Sequence, residues 1–357
     1  MSTASSSSSF DLTDLGWDGA WSATLDSARA VLGGGPPARV ARVDLGSAIL
    51  LAADGARRAA LPPGVTVAVG DWVVARPALV AGALPRRSAL VRRAAGPGLR
   101  AQTLAANVDT VLVLVAADGR VTPRSVERYV TLVWESGATP VVVLTKADLV
   151  TGADLDSAVD RLEPACAGVA RHVVSALTGA GLDELAAYAG RGRTVALLGA
   201  SGAGKSTLVN HFTGAALATG PVRGDGRGRH TTTHRELVPL PGGGVLVDTP
   251  GLREVGLWPG GDGVDRTFAE ITVLLGQCRF TDCTHRAEPG CALRAAVADG
   301  RVTEERLAAW RKLGRELDRL AARDDPGLAA RLRGEQRRLH RQTAQARKQW
   351  TRTRKGR

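Results

Sequence analysis

Thr194-Val195-Ala196-Leu197-Leu198-Gly199-Ala200-Ser201-Gly202-Ala203-Gly204-Lys205-Ser206-Thr207 is the stretch that decides the fold. Its first five residues read as a short buried strand, and the rest has the G-x-x-x-x-G-K-S spacing of a phosphate-cradling loop that opens a helix. Glycines at 199, 202 and 204 let backbone N–H groups turn toward phosphates, and the helix starting near Lys205 adds the positive end of its dipole. Lys205 is expected to reach the outer phosphates and the Ser206 hydroxyl to ligate Mg²⁺. A glycine-rich turn of other purpose is the alternative, and it would not explain the strand before the loop and the helix after it.

Downstream, Val245-Leu246-Val247 reads as a second strand ending in Asp248-Thr249-Pro250-Gly251. Alone this tetrapeptide is a common turn. At this distance after a phosphate loop it reads as a nucleotide switch, with Asp248 in the Mg²⁺ shell and the Gly251 amide at the terminal phosphate. Leu252 stands where many GTPases carry a glutamine, and an apolar side chain cannot orient the attacking water. Between the two motifs, Gly220-Pro221-Val222-Arg223-Gly224-Asp225-Gly226-Arg227-Gly228-Arg229 is too flexible for a helix or strand and is expected to be poorly ordered without ligand. It leads into His230 and three threonines, of which Thr232 is expected to supply a third Mg²⁺ contact. His230 is either the residue that positions water or a plain surface residue.

Upstream, Pro140-Val141-Val142-Val143-Leu144 is a strand closed by Thr145-Lys146-Ala147-Asp148, and Val173-Val174-Ser175-Ala176-Leu177 follows about thirty residues on. In this pairing the Asp148 carboxylate accepts two hydrogen bonds from a guanine edge, the Lys146 stem lies against the base, and Ser175 and Ala176 complete the pocket. Thr145 replaces the usual asparagine, which is expected to weaken the tie to the phosphate loop. The base reader thus precedes the phosphate loop, which precedes the switch: the order of a GTPase, circularly permuted. Permutation keeps the site because strands and loops meet in space whatever the chain order. It also sends the switch straight into the C-terminal region, where it can pull on whatever that region binds.

That region holds Cys278-x₄-Cys283-x-His285-x₅-Cys291, three of the four cysteines and one of the six histidines. Three thiolates and an imidazole make a closed tetrahedral zinc site of structural type. Disulfides are disfavoured by an N-terminus without an apolar core segment, and chance clustering remains the other reading. Cys166, alone, reads as a small buried hydrophobe. Thr303 caps an expected helix with Glu304 and Glu305 in its first turn and Leu307, Trp310, Leu313, Leu317 and Leu320 as its stripe.

With 357 residues there is room for two or three domains, and no apolar run is long enough to span a bilayer. Basic residues outnumber acidic ones by 47 to 35, but from Arg331 to the end eleven Lys or Arg face only Glu335, so this tail carries +10 of the +12 net charge. Such a tail suits phosphate backbones, or it is a solvated appendage. Residues 38–94 alternate short apolar runs, Val65–Val69 among them, with Gly and Pro turns, and Val69-Gly70-Asp71-Trp72-Val73 has the tight turn of a barrel corner. An RNA-binding barrel is one candidate; SH3-like and other small barrels read the same way. Residues 2–9 are almost all serine and are expected to be disordered.

The permuted motif order, the N-terminal barrel pattern, Gln102-Thr103-Leu104-Ala105-Ala106-Asn107-Val108-Asp109, Arg229-His230-Thr231-Thr232-Thr233 and the Cys-x₄-Cys-x-His-x₅-Cys segment together resemble the bacterial small-ribosomal-subunit-dependent GTPases, the RsgA or YjeQ family. The resemblance covers roughly residues 38–320. It implies an N-terminal β-barrel (OB-like) over 38–97, a central α/β P-loop GTPase over 98–260, circularly permuted, and a C-terminal α-helical zinc-binding domain over 261–325. A partly disordered extension, 1–37, precedes them and a basic tail, 326–357, follows. It further implies one structural Zn²⁺, Mg²⁺ with GTP or GDP, engagement of the immature 30S subunit and its 16S rRNA late in assembly, and hydrolysis stimulated by the ribosome. The protein is expected to be cytoplasmic, monomeric and free of membranes. The contrasting reading is a GTP-gated RNA-binding protein whose hydrolysis is incidental.

Overall fold

The computed structural model describes residues 9–93, 101–118, 122–214, 235–248, 257, 261–286, 288–323, 325, 327–331 and 334. Near the N-terminus, β1 (Pro37–Asp44), β2 (Ser47–Ala52), β3 (Gly55–Ala60), β4 (Trp72–Ala75) and β5 (Val80–Ala83) form an antiparallel sheet in the order β3-β2-β1-β4-β5. The end of edge strand β3 meets the residue just before β5 at a parallel bridge between Ala60 and Leu79, where the Ala60 N–H donates to the Ala78 carbonyl at 2.8 Å. The five strands thereby curl into a barrel whose ends touch at this one bridge. A register shift between Val40 and Arg42 bends β1 for this closure, around a core of Val40, Leu50, Val73 and Val80. At the expected corner Gly70 has φ +88°, and a Cβ there would run into the Ala106 carbonyl. Buried Asp71 beside it accepts the Ala68 N–H and holds Arg86 through two 2.7 Å contacts. The apolar run Val65–Val69 is not a strand of this sheet; it links β3 to β4 and bridges only at Val69–Ala105.

Within the segment read as an N-terminal extension, residues 9–36 are built into the fold. Asp18 caps α1 (Gly19–Leu32) by accepting the Trp21 N–H at 2.8 Å. Trp17 meets Trp72 edge-on with ring centroids 4.7 Å apart, and Trp21 is buried beside them. Arg39, fully buried on β1, donates to the carbonyls of Leu15, Gly70 and Asn107. Burial pushes its pKa down to about 10, so it stays a cation at neutral pH, satisfied by three carbonyls on three segments.

A two-stranded ribbon, β6 (Ala89–Arg93) and β7 (Ala101–Ala106), leads into the central sheet. That sheet comprises β8 (Thr110–Ala116), β9 (Thr139–Thr145), β10 (Ala170–Val173), β11 (Thr194–Gly199), β12 (Glu236–Pro239) and β13 (Val245–Asp248), ordered β10-β9-β8-β11-β13-β12 and parallel except for β12. All seven residues of β8 are buried, as an apolar run covered on both faces requires. Helices α2 (Pro123–Glu135), α3 (Gly152–Leu162), α4 (Leu182–Ala186) and α5 (Lys205–Thr213) accompany it. Strand order reverses between β8 and β11, the place where open α/β sheets bind ligands beyond the strand C-termini.

The C-terminal part is helical: α6 (Gly263–Thr267), α7 (Ala269–Leu275), α8 (Ala292–Ala298) and α9 (Glu304–Ala321). Thr303 caps α9 by accepting the Arg306 N–H at 3.1 Å, and Leu307, Leu313 and Leu320 are buried along the expected stripe, with Trp310 and Leu317 packed against them. Phe268, Ile271 and Leu293 share one core with Val126, Val130 and Val133 of α2. No helix among the described residues is long and apolar enough to cross a membrane.

Candidate functional site

Gly199 to Gly204 join β11 to α5 at the switch point. Gly202 (φ +75°) and Gly204 (φ +88°) take the left-handed conformation that turns successive amides inward, and a Cβ on Gly199 would lie 2.6 Å from the Leu114 carbonyl. The Lys205 ammonium folds over its own loop, donating to the carbonyls of Gly199 at 2.8 Å and Ala200 at 2.7 Å. Ser206 and Thr207 are exposed on the first turn of α5, and Ala203 is buried beneath the loop.

Thr145 makes the contact between the two loops. Its hydroxyl lies 2.9 Å from the Ala203 carbonyl and 3.3 Å from that of Val115, so the tie between base loop and phosphate loop is present without an asparagine. Lys146 then takes a left-handed turn, φ +60°, which brings Ala147 and Asp148 into a tight helical turn. The Ser175 hydroxyl donates to Asp148 Oδ1 at 2.5 Å, the Ala147 N–H to the Val174 carbonyl at 3.2 Å, and the Thr178 N–H to Ser175 Oγ at 3.2 Å. Asp148 and Ser175 are therefore held together with the second carboxylate oxygen left for a ligand. A carboxylate in this place can accept two donors side by side, the pattern of a guanine edge.

Asp248 ends β13 beside Glu236 of β12. Of the other switch residues, Thr232, His230 and Gly251 lie outside the described residues, as does Leu252.

Cys278, Cys283, His285 and Cys291 come together with all four donor atoms within 4.8 Å of one another. Cys278 Sγ lies 3.4 Å from His285 Nδ1 and 3.9 Å from Cys291 Sγ, with 3.7 Å between Cys291 Sγ and His285 Nδ1. A tetrahedral zinc with ordinary bond lengths requires about 3.8 Å between sulfurs and about 3.5 Å from sulfur to nitrogen, so the donor set fits that ion. His285 reaches it from a left-handed residue, φ +56°, whose carbonyl accepts from Arg311 on α9. Cys166 is apart and buried, and burial pushes its thiol up to about 11; it stays protonated and unreactive.

Sequence reading missed the polar residues that join these parts. Arg191 pairs with Asp11 and Asp14, and Arg87 with Asp18, tying the N-terminal segment to the rest. Arg306 of α9 reaches Glu127 of α2 and Glu270 of α7. The available signal was a charged residue falling on an apolar helical stripe, as Glu127 does beside Val126 and Val130.

The RsgA GTPase family pattern matches residues 83–258. The chain is 47% identical over 352 residues to the small ribosomal subunit biogenesis GTPase RsgA of Streptomyces coelicolor, covering 94% of this chain and 95% of that protein. It is likewise 47% identical over 346 residues to the protein of that name from Streptomyces avermitilis, covering 92% and 91%. Among solved structures, YjeQ from Thermotoga maritima matches with a TM-score of 0.61 at 26% identity, over 79% of this chain and 98% of that one. YloQ, described as a circularly permuted GTPase, shares the fold with a TM-score of 0.57 at 23% identity, over 80% and 96%.

Proposed function

This chain belongs to the RsgA GTPase family, and on that premise we propose that it binds the small (30S) ribosomal subunit, assists its late maturation and hydrolyses GTP to GDP and phosphate under stimulation by the subunit. The observation that carries the reading is the meeting of base loop and phosphate loop at the strand-order reversal, tied through Thr145 and Ala203. The relatives named for small-subunit biogenesis, alike over nearly the whole chain, supply the partner.

In this reading Asp148 and Ser175 select guanine, the glycine amides cradle the phosphates, and Lys205 supplies the charge that follows electrons onto the leaving phosphate. Ser206, Asp248 and Thr232 would hold Mg²⁺, which neutralises charge building on the phosphoryl oxygens. With leucine at 252 the attacking water is left to His230 or to a group supplied by the subunit. The barrel and the basic tail, nearly all of the latter outside the described residues, would hold 16S rRNA through phosphate contacts. The protein would work in the cytoplasm as a monomer.

Hydrolysis measured with and without purified small subunits tests this. A rise of about tenfold or more, equivalent to about 1.4 kcal/mol off the barrier, is expected. An unchanged rate, with RNA binding still dependent on GTP, would mean that hydrolysis is incidental.

Zinc is the proposed resident of the Cys₃His cluster. Elemental analysis of protein purified without chelator is expected to give one zinc per chain. Because binding free energy at such sites is largely folding free energy, Cys283→Ser should abolish the zinc and speed hydrogen exchange in α8 and α9 while GDP affinity holds. Zinc-free native protein would remove the metal from the account.

A further inference from the structure

Arg306 is a cation on the apolar stripe of α9, with its side chain only 5% exposed. Its guanidinium reaches three partner residues in three directions. Nη1 donates to Glu127 Oε1 on α2 at 2.9 Å, Nε to Glu270 Oε1 on α7 at 2.6 Å, and Nη2 to the Thr267 carbonyl at the end of α6. Its flat face lies on Phe268, 4.2 Å from the ring centre. A planar fork held at three points fixes orientation as well as distance. Glu127 depends on this contact: its Oε2 is buried with no hydrogen-bond partner, and burial raises its carboxyl above the ordinary range.

The same face of α2 carries further fastenings. Thr131 and Thr267 hydroxyls sit 3.0 Å apart, Arg128 pairs with Glu316 of α9 at 2.6 Å, and Glu135 accepts the Gly263 N–H at 3.1 Å. Arg266 lies 3.5 Å over the Trp134 ring. From Glu127 to Glu135, then, α2 is bolted to α6 and α9, and through Arg306 α9 also holds α7. Helix α2 lies between β8 and β9, and β9 ends in the base loop. The zinc-bearing helices are thus fastened to the half of the nucleotide-binding body that reads the base, although the chain reaches them from Asp248, on the half that senses the phosphates. A pull transmitted along the chain from that switch would have to break these contacts.

We propose that Arg306 is a latch that holds the zinc-bearing helices in one pose on α2 whichever guanine nucleotide is bound, so that the phosphate signal leaves the protein through the switch segments themselves and not through a swing of these helices. The proposal rests on the guanine-nucleotide reading above for its two states. Arg306 acts here as a positioning residue, remote from the phosphates.

The test is a pulsed-EPR distance between spin labels carried on non-natural amino acids at exposed positions 156 on α3 and 319 on α9 of the full chain, with the native cysteines untouched. With GDP and with a non-hydrolysable GTP analogue, the wild type should give one narrow distribution with the same mean. Arg306→Met should widen it about twofold or more, as expected when an interface is freed to move as a rigid body. Arg306→Lys, which keeps the charge but not the fork, should give an intermediate width and covers the case in which the methionine variant folds poorly. In Glu127→Met/Arg306→Met the stranded acid is gone, so thermal stability should recover while the distribution stays wide. A wild-type mean that moves with nucleotide, a distribution left narrow by Arg306→Met, or one made narrow again in the double variant would each overturn the latch. If neither nucleotide binds, the GTPase reading fails, and the comparison of wild type with Arg306→Met in nucleotide-free protein still decides the latch.

Discussion

Lys205→Ala is expected to lower GTP turnover by about 10²-fold or more, the loss that follows removal of one preorganised donor to charge developing in a transition state. The ammonium is already gathered into the loop by the Gly199 and Ala200 carbonyls, so it waits at the phosphate cradle instead of ranging through solvent. Removing it leaves the loop's shape alone, because that shape is set by the positive φ of Gly202 and Gly204 and by the Thr145 tie. Alanine also suits the first turn of α5. Turnover should therefore collapse with little change in melting temperature, a combination that separates lost chemistry from lost fold. Ser206→Ala should behave alike through loss of a Mg²⁺ ligand; its side chain is exposed, so the fold should be indifferent. Phosphate release and a thermal melt on the same preparations check both, and sustained turnover in both variants would mean that the phosphate loop has been misread.

What could be read from the sequence divides by range. The phosphate loop, the base loop and the Cys₃His spacing are local: the residues that do the chemistry lie within a few positions of one another, and their spacing carries the geometry. The stripe of α9 was legible for the same reason. The barrel itself was expected from its short runs and corner turn, but the residues that close it were not legible, because Ala60 and the Leu79 it meets are unrelated by any period in the sequence. Serine-rich composition at residues 2–9 coloured the reading of everything up to residue 37, yet Trp17, Trp21 and Asp18 a few residues later build a capped helix and an aromatic cluster. That Thr145 would reach the Ala203 carbonyl of the phosphate loop was likewise not legible, because the two residues lie 58 positions apart in the chain. Arg306 and Glu127 were passed over because charged residues on helices are usually solvated; only the packed structure puts each opposite the other.

Asp148→Asn is expected to exchange guanine for xanthine preference. Guanine offers two donors on the edge that Asp148 meets, and a carboxylate accepts both. In the variant Ser175 can still donate to the side-chain oxygen, as it does to Asp148 Oδ1 at 2.5 Å. The amide nitrogen then occupies the place of Oδ2 and points a donor at the guanine amino group, itself a donor. One charge-assisted hydrogen bond becomes a donor–donor conflict, and at about 1.5–3 kcal/mol for the bond plus the cost of an unpaired group, guanine affinity should fall about 10²-fold or more. Xanthine carries an oxygen where guanine carries the amino group, so the amide nitrogen gains an acceptor and the mismatch is relieved. Competition by GDP, XDP and ADP against a fluorescent guanine nucleotide reads the result: wild type should rank GDP far above the others, and the variant should place XDP first with ADP weak throughout. Because Asp148 is exposed and its turn is set by the left-handed Lys146, the fold should not change. An unaltered preference for GDP in the variant would show that another group reads the base, and the pairing of the 145–148 loop with Ser175 would then be architecture alone.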